Sequence, residues 1–123
     1  MQNILALAAR VLLSLLFILA GYGKLTGFGD TVGYFASIGL PVPTVTTALV
    51  VAVELLGGLA ILAGLFARPV AAVLALFCIA TAFIAHFSPF DQISFFKNFG
   101  LAGGFLMISA FGPGAFSIDA RRA

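Results

Sequence analysis

The residue with the clearest chemical potential is Glu54, an acid near the middle of the otherwise uncharged stretch Thr44–Phe66, TVTTALVVAVELLGGLAILAGLF. This stretch is long enough to cross a bilayer, because ~20 apolar residues rising ~1.5 Å each span the hydrocarbon core. A carboxylate at that depth costs roughly 3 kcal/mol or more. Glu54 therefore needs a counter-charge, a cavity or a bound proton, and its role depends on which of these it has.

Arg10, in the first apolar stretch, is the predicted counter-charge. Counting ~1.5 Å per residue from the ends of the two stretches leaves ~9 Å between Arg10 and Glu54 along the membrane normal. Two long side chains can close much of that gap, and elements joined by short connections are usually neighbours. The sequence thus predicts that an Arg10–Glu54 pair is feasible.

Two interpretations of Glu54 stay open at this point. In the first, Glu54 is a structural acid that locks the packing of the helices through an ion pair or a hydrogen bond. In the second, it faces a cavity and binds a ligand or handles protons, because ionisable residues inside a membrane are commonly functional.

A second set of polar residues ends the neighbouring apolar stretches, at what we predict to be one mouth of the bundle. Its members are Lys24, His86, Lys97 and Asn98, with Asp91 in a loop beside them. The ordinary explanation for such lysines is that they snorkel to lipid headgroups. The ordinary explanation for His86 is that it is a helix-end residue in the membrane interface. The functional alternative is a polar entrance above the buried acid, suited to an apolar ring with polar edges such as a quinone headgroup. The predicted aromatic lining of this entrance is Phe17, Tyr22, Phe83 and Phe87.

The composition requires lipid as the main solvent of this chain. Of its 123 residues, 63% are hydrophobic and only 8% are charged, and the mean hydropathy is +1.23. Soluble domains are about 25% charged. The net charge of +2 is scattered and is not a nucleic-acid signal. With one cysteine (Cys78) and one histidine, neither dithiol chemistry nor a zinc site of the usual four ligands is expected.

Four apolar stretches must position these residues, and they predict an all-α integral membrane four-helix bundle formed by a single domain, residues 1–123. The connection between the first two spans is itself apolar, and it predicts a short interfacial helix around Thr31–Ile38. The predicted spans are 4–25, 44–66, 69–86 and 95–111.

One face of the first span carries its polar and small residues and is predicted to face the bundle. Arg10, Ser14, Phe17, Gly21 and Lys24 recur there at helical spacing. Small residues elsewhere predict close helix packing, at Ala60 with Gly64 and at Gly100 with Gly104.

The basic residues predict the orientation of the chain. Placing both termini in the cytoplasm puts Arg68, Arg121 and Arg122 there, with Arg10 nearby, and leaves Lys24 and Lys97 outside.

The order and spacing of several short motifs resemble the DoxX family of small bacterial membrane proteins, over nearly the whole chain. The motifs begin with Arg10 and Gly21-Tyr-Gly-Lys24-Leu25, continue with Glu54, Gly57-Gly58, Leu62-Ala-Gly64-Leu65 and Arg68, and close with Gly112-Pro113-Gly114-Ala-Phe-Ser117-Ile-Asp119. The resemblance implies a four-helix membrane bundle in the bacterial cytoplasmic (inner) membrane. It also implies an association with quinone-linked oxidoreductases.

We therefore expect a membrane subunit or adaptor of a redox system that binds a lipophilic small molecule, a quinone, in a pocket around Glu54. Its expected partners are the bilayer, a redox enzyme and further copies of the chain, without nucleic acid. No metal, flavin or haem is expected, and no catalytic residue is assigned. Two alternatives remain: a non-catalytic scaffold for a partner enzyme, and a small oligomeric transporter. The expected ligand-binding residues are Glu54, Arg10, Lys24, His86, Lys97 and Asn98.

Overall fold

The computed structural model describes residues 1–87 and 89–122; Ser88, in the predicted loop after the third span, and Ala123 lie outside the described residues. The described part of the chain contains six α-helices. In chain order they are α1 (Gln2–Thr26), α2 (Phe28–Ser37), α3 (Pro43–Ala63), α4 (Ala67–Ala85), α5 (Gln92–Phe111) and α6 (Ile118–Arg122). Helices α1, α3, α4 and α5 are each long and apolar enough to cross a membrane. The all-α four-helix membrane bundle is thus confirmed.

Helix α3 ends three residues earlier than predicted. Gly64 adopts a left-handed conformation (φ 70°, ψ 37°), and its N–H donates to the Ile61 carbonyl at 3.1 Å. This is a common way to end a helix, because glycine has no Cβ to oppose the left-handed region. The chain then starts α4 at Ala67, so that Pro69 falls in the first turn, where its missing N–H costs nothing.

Helix α5 begins at Gln92 rather than at the predicted Phe95, because Asp91 caps it. The Asp91 carboxylate accepts the backbone N–H of Ser94 at 3.2 Å. This bond stabilises the charged form, and it holds the pKa of Asp91 below its ordinary value. The interfacial helix is also present, but α2 begins three residues before the predicted Thr31.

The bundle consists of two closely packed antiparallel pairs, α1 with α3 and α4 with α5. Glycines bring α1 and α3 together. A Cβ added at Gly21 would lie 2.8 Å from Leu55 Cγ, and one added at Gly58 would lie 2.9 Å from Ile18 Cγ1. Such close approach is the usual basis of helix association in lipid, where apolar side chains gain little from leaving the bilayer.

The predicted GxxxG contact of α5 is only half right. A Cβ at Gly104 would lie 3.1 Å from Leu13 Cδ1 of α1, but one at Gly100 would meet no atom within 4 Å. The prediction for Ala60 and Gly64 is wrong for Gly64, which ends α3 instead of lying within it. Sequence spacing identified small residues but could not tell which of them face a neighbouring helix.

The core lies where the two pairs meet. The Phe17 ring of α1 packs edge-on against Phe105 of α5, with 5.2 Å between the ring centroids, and Leu74 of α4 is almost fully buried beside them. The predicted inner face of α1 is confirmed, since its buried residues are Arg10, Ser14, Phe17 and Gly21.

The two ends of the bundle differ in their contents. The tail end holds the start of α1, the turn between α3 and α4, and residues 112–122. The loop end holds the end of α1, helix α2 and the connection from α4 to α5.

Candidate functional site

Glu54 pairs with Lys24 at the loop end. The distance from Lys24 Nζ to Glu54 Oε1 is 3.0 Å, and Glu54 is only 7% exposed. Gly21 makes the pairing possible, because α1 passes so close to α3 there that a Gly21 Cβ would lie 3.1 Å from Glu54 Cβ. Lys24 follows Gly21 by almost one helical turn and reaches inward. The ordinary expectation for a terminal lysine, snorkelling away from the bundle, does not describe Lys24.

The predicted Arg10–Glu54 pair is wrong. Arg10 is 1% exposed, and its Nη2 donates to the backbone carbonyl of Phe116 at 2.6 Å. The polypeptide after α5 folds back over the tail end and supplies this acceptor. Gly64 leaves the necessary space, since any Cβ there would collide with Arg10 Nη1 and with Ser117 Cβ. Arg10 therefore belongs to a structural cluster and not to the site around Glu54.

Asp119 completes that cluster and was not identified from the sequence as a functional residue. Its two carboxylate oxygens accept the N–H groups of Phe66 at 2.7 Å and Ala67 at 2.8 Å, and its own N–H donates to the Gly64 carbonyl at 2.9 Å. The first N–H groups of a helix have no partners within it, and a carboxylate there also suits the helix dipole. Asp119 thus caps α4 from a segment more than fifty residues away, a distance at which no local sequence signal exists.

A cavity of about 370 Å³ opens at the loop end, and helices α1 to α5 all contribute to its lining. It brings together five of the six predicted ligand-binding residues and does not include Arg10. The five are Glu54, Lys24, His86, Lys97 and Asn98. Their function in binding stays a prediction, but their convergence on one space is a feature of the structure.

A short chain of hydrogen bonds holds Asn98 at the wall of this cavity. Asn98 Nδ2 donates to Thr81 Oγ1 at 3.0 Å, and Thr81 Oγ1 donates to the Cys78 carbonyl at 3.1 Å. Asn98 is 8% exposed. Its side-chain oxygen has no hydrogen-bond donor among the described residues, so it can accept a hydrogen bond from a ligand.

The aromatic lining differs from the predicted one. Of the four predicted aromatic residues only Phe17 lines the cavity. Tyr22 is 61% exposed on α1, whereas Phe83 and Phe87 pack on Phe95 with centroid distances of 5.1 Å and 5.9 Å. The other aromatic residues that line the cavity were not predicted from the sequence: they are Phe77 from α4 and Tyr34 and Phe35 from α2.

Helix α2 covers the cavity. The sequence feature that could have indicated this is the apolar character of the connection between the first two spans. Phe35, the buried residue of α2, lines the cavity together with Ile38 and Leu40 just beyond the helix. A surface helix with one apolar face must cover something apolar, either protein or lipid. The sequence favoured the membrane interface for this segment, and the structure places part of it against the bundle.

The DoxX family model matches residues 5–87, which contain most of α1, all of α2 to α4, and the Glu54–Lys24 pair. This chain belongs to the DoxX family. It is 42% identical over 123 residues to the inner membrane protein YqjF of Escherichia coli (strain K12), covering 97% of this chain and 92% of that protein. It is 37% identical over 129 residues to the inner membrane protein YphA of the same organism, covering 98% of this chain and 91% of that protein. No solved structure matches this chain. The protein is a membrane protein of the DoxX family.

Proposed function

We propose that this protein binds a quinone in the loop-end cavity, as a membrane subunit or adaptor of a redox system. The observation that carries the proposal is the position of Glu54. It is buried at mid-helix, and it borders a cavity of about 370 Å³ as well as its lysine partner. A purely structural ion pair would not need the adjoining space, nor the convergence of His86, Lys97 and Asn98 on it.

The polar groups of the cavity match both redox forms of a quinone. The carbonyl oxygens of the oxidised ring can accept hydrogen bonds from Lys24 Nζ, and the hydroxyls of the reduced ring can donate to Glu54 or to the side-chain oxygen of Asn98. The flat ring itself suits the aromatic walls formed by Phe17 and Phe77. The redox partner would supply or take the electrons, and the link to such a partner rests on the family resemblance.

The basic residues support an orientation with the tail end in the cytoplasm. Arg68, Arg121 and Arg122 are exposed at the tail end, where Arg122 lies 4.8 Å from the Phe66 ring centroid. Cytoplasmic sides of membrane proteins carry an excess of such residues. Since both relatives are named inner membrane proteins, we place this chain in the bacterial inner membrane with its loop-end cavity towards the outer side.

The test is to identify small molecules that co-purify with the protein in lipid nanodiscs. We expect a quinone to be retained by the wild type and lost from Glu54→Gln, which keeps the shape of the side chain and removes its charge. Asp30→Asn is the matched control, because it removes the same charge at an exposed position of α2 outside the cavity. Equal quinone content in the two variants, or only bulk lipid in all three samples, would exclude the proposal.

The scaffold alternative is favoured by one observation, the direct 3.0 Å contact of Lys24 with Glu54. If the pair only locks α1 to α3, Glu54→Gln would melt earlier than the wild type with no change in bound molecules. Added quinone distinguishes the two functions, because a ligand that binds only the folded state raises its stability. A melting temperature that rises with quinone in the wild type but not in Glu54→Gln would favour the binding function over the scaffold.

A further inference from the structure

The lining of the loop-end cavity reaches an exposed surface at several residues, and one of them, Ile84 of α4, gives it an opening on the side where α3 and α4 meet. Val50 of α3 and Ile84 of α4 stand at this opening, and Ile84 is 49% exposed although it lines the cavity. Helix α2 covers the cavity from the loop end, through the buried Phe35. The opening between α3 and α4 therefore faces the side of the bundle that lipid contacts.

A second concave feature lies beside the cavity, about one helical turn nearer the tail end along α3 and α4. It is an apolar groove of about 510 Å³ between α3 and α4, and no charged residue lines it. Val73 and Leu56 form exposed walls, with 55% and 67% of their surface accessible. At its floor Leu74 packs tightly on Gly57, where an added Cβ would lie 2.9 Å from Leu74 Cδ2.

The cavity opening and the groove belong to one seam. Along α3, Val50 at the opening is followed by Val53, Gly57 and Ala60 in the groove, in steps of three and four residues that keep one helix face. Val50 and Ala60 are ~15 Å apart along the helix at ~1.5 Å per residue. The polar groups lie at one end of this seam, and the rest of it is apolar.

We infer that the ligand carries a long apolar chain, and that this chain leaves the cavity between α3 and α4 and lies in the groove. The inference rests on the proposed quinone site and narrows its ligand from any small quinone to one with a prenyl or alkyl tail. Such a molecule enters sideways from the bilayer, so that its ring reaches Glu54 without its tail crossing water. The position of the groove directly beside the cavity, on the same faces of α3 and α4, is what singles out the ligand's own tail as its occupant.

Two photoreactive quinones test the inference on the full-length protein in nanodiscs. One carries an azide on the ring, and the other carries a diazirine at the end of the tail. We expect the ring azide to label peptides that line the cavity, and the diazirine to label residues 52–60 of α3 and 69–74 of α4. An excess of unlabelled tailed quinone should abolish both reactions.

The possible outcomes separate this inference from the proposed function. Cavity labelling by the ring azide, with diazirine products confined to lipid or to α1 and α5, would leave the quinone site standing and overturn the tail site. Failure of the ring azide to label the cavity would overturn both. Groove labelling by a photoreactive phospholipid that excess tailed quinone does not displace would assign the groove to bulk lipid and overturn the tail site.

A substitution in the groove provides a second test. Val73→Phe should weaken the binding of a tailed quinone by about fivefold, the order expected when about ten atomic contacts are lost. It should leave the binding of the same ring without a tail unchanged. The control is Val45→Phe, because Val45 is exposed to the same extent (54%) on α3 but lines neither the groove nor the cavity. Equal effects of Val73→Phe on both ligands, or a loss of self-association with neither ligand affected, would overturn the inference.

Discussion

The two ends of this bundle use buried charge in opposite ways. At the tail end, Arg10 and Asp119 are bonded to backbone groups of Phe116, Phe66 and Ala67. At the loop end, Glu54 has a side-chain partner and borders an open space. Backbone partners are fixed by the fold, whereas a lysine on a helix end can rotate away.

This difference favours a structural role for the tail end, and it supports the proposed binding role of the loop end. A charge that is bonded to backbone is held in place, because its backbone partners cannot leave without local unfolding. A charge that is paired with one flexible side chain can exchange that partner for a ligand at much lower cost. Substitutions at the tail end should therefore change the free energy of unfolding, and those at the loop end should mainly change binding.

The largest effect is expected from Gly64→Ala at the tail end. The new Cβ would be strained in the left-handed region and would collide with Arg10 and Ser117, so we expect a loss of about 4 kcal/mol in unfolding free energy. Gly39→Ala is the control, because Gly39 has a similar φ of 83° with no atom within 4 Å of its Cβ position. It should lose only about 1 kcal/mol. Denaturation in mixed micelles measures both, and equal losses would mean that the space above Gly64 is not needed.

Arg10→Met should have the next largest effect, about 3 kcal/mol, because it removes the buried guanidinium that donates to the Phe116 carbonyl. Arg121→Met removes the same charge from an exposed position in the tail and should stay within about 0.5 kcal/mol of the wild type. Quinone content should be unchanged in both variants once they are folded. A loss of quinone from folded Arg10→Met would show that the two ends are not separate.

The Glu54–Lys24 pair should contribute less to stability than the tail-end bonds. A double-mutant cycle with Glu54→Gln and Lys24→Gln should give a coupling free energy of about 1 kcal/mol, since Lys24 is partly exposed (28% of its side chain). Both single variants should lose bound quinone despite their modest loss of stability. A coupling free energy as large as 3 kcal/mol, with normal quinone binding in both single variants, would mean that the loop-end pair stabilises the fold and does not bind the ligand.

The smallest effect is expected at the Asn98–Thr81 hydrogen bond. Thr81→Val removes the acceptor of Asn98 Nδ2, and buried hydrogen bonds in membrane proteins are worth about 0.6 kcal/mol on average. Without this bond Asn98 is no longer held at the cavity wall. We therefore expect the loss in quinone-binding free energy to exceed the loss in unfolding free energy. Ser109→Ala, at a half-buried position of α5 outside the cavity, is the control. Identical quinone binding by Thr81→Val and Ser109→Ala would show that Asn98 does not contribute to the site.

The fold could be predicted well from the sequence because hydropathy determines which segments enter lipid. The deviations occur where a few residues decide a boundary: Gly64 ends α3, and Asp91 starts α5. The inner face of α1 was predicted correctly because helical spacing places Arg10 and Ser14 on one face whatever surrounds them.

The site could be predicted only in part. Polar residues near helix ends indicated five residues that line the cavity, but Arg10, the predicted partner of Glu54, does not line it. Depth along the membrane suggested Arg10 as the partner of Glu54. Arg10 is instead bonded to the carbonyl of Phe116, which lies 106 residues further along the chain. Contacts of this kind depend on how a distant segment folds back, and neither spacing nor charge in a single sequence contains that information.

The contacts of residues 116–119 can form only late in the synthesis of this protein. Synthesis proceeds from the N-terminus, so all four spans are made before Phe116 and Asp119 exist. Until then Arg10 lacks its carbonyl, and the first N–H groups of α4 lack their cap. The four spans are therefore synthesised while Arg10 and the start of α4 still lack these partners, which residues 116–119 supply afterwards.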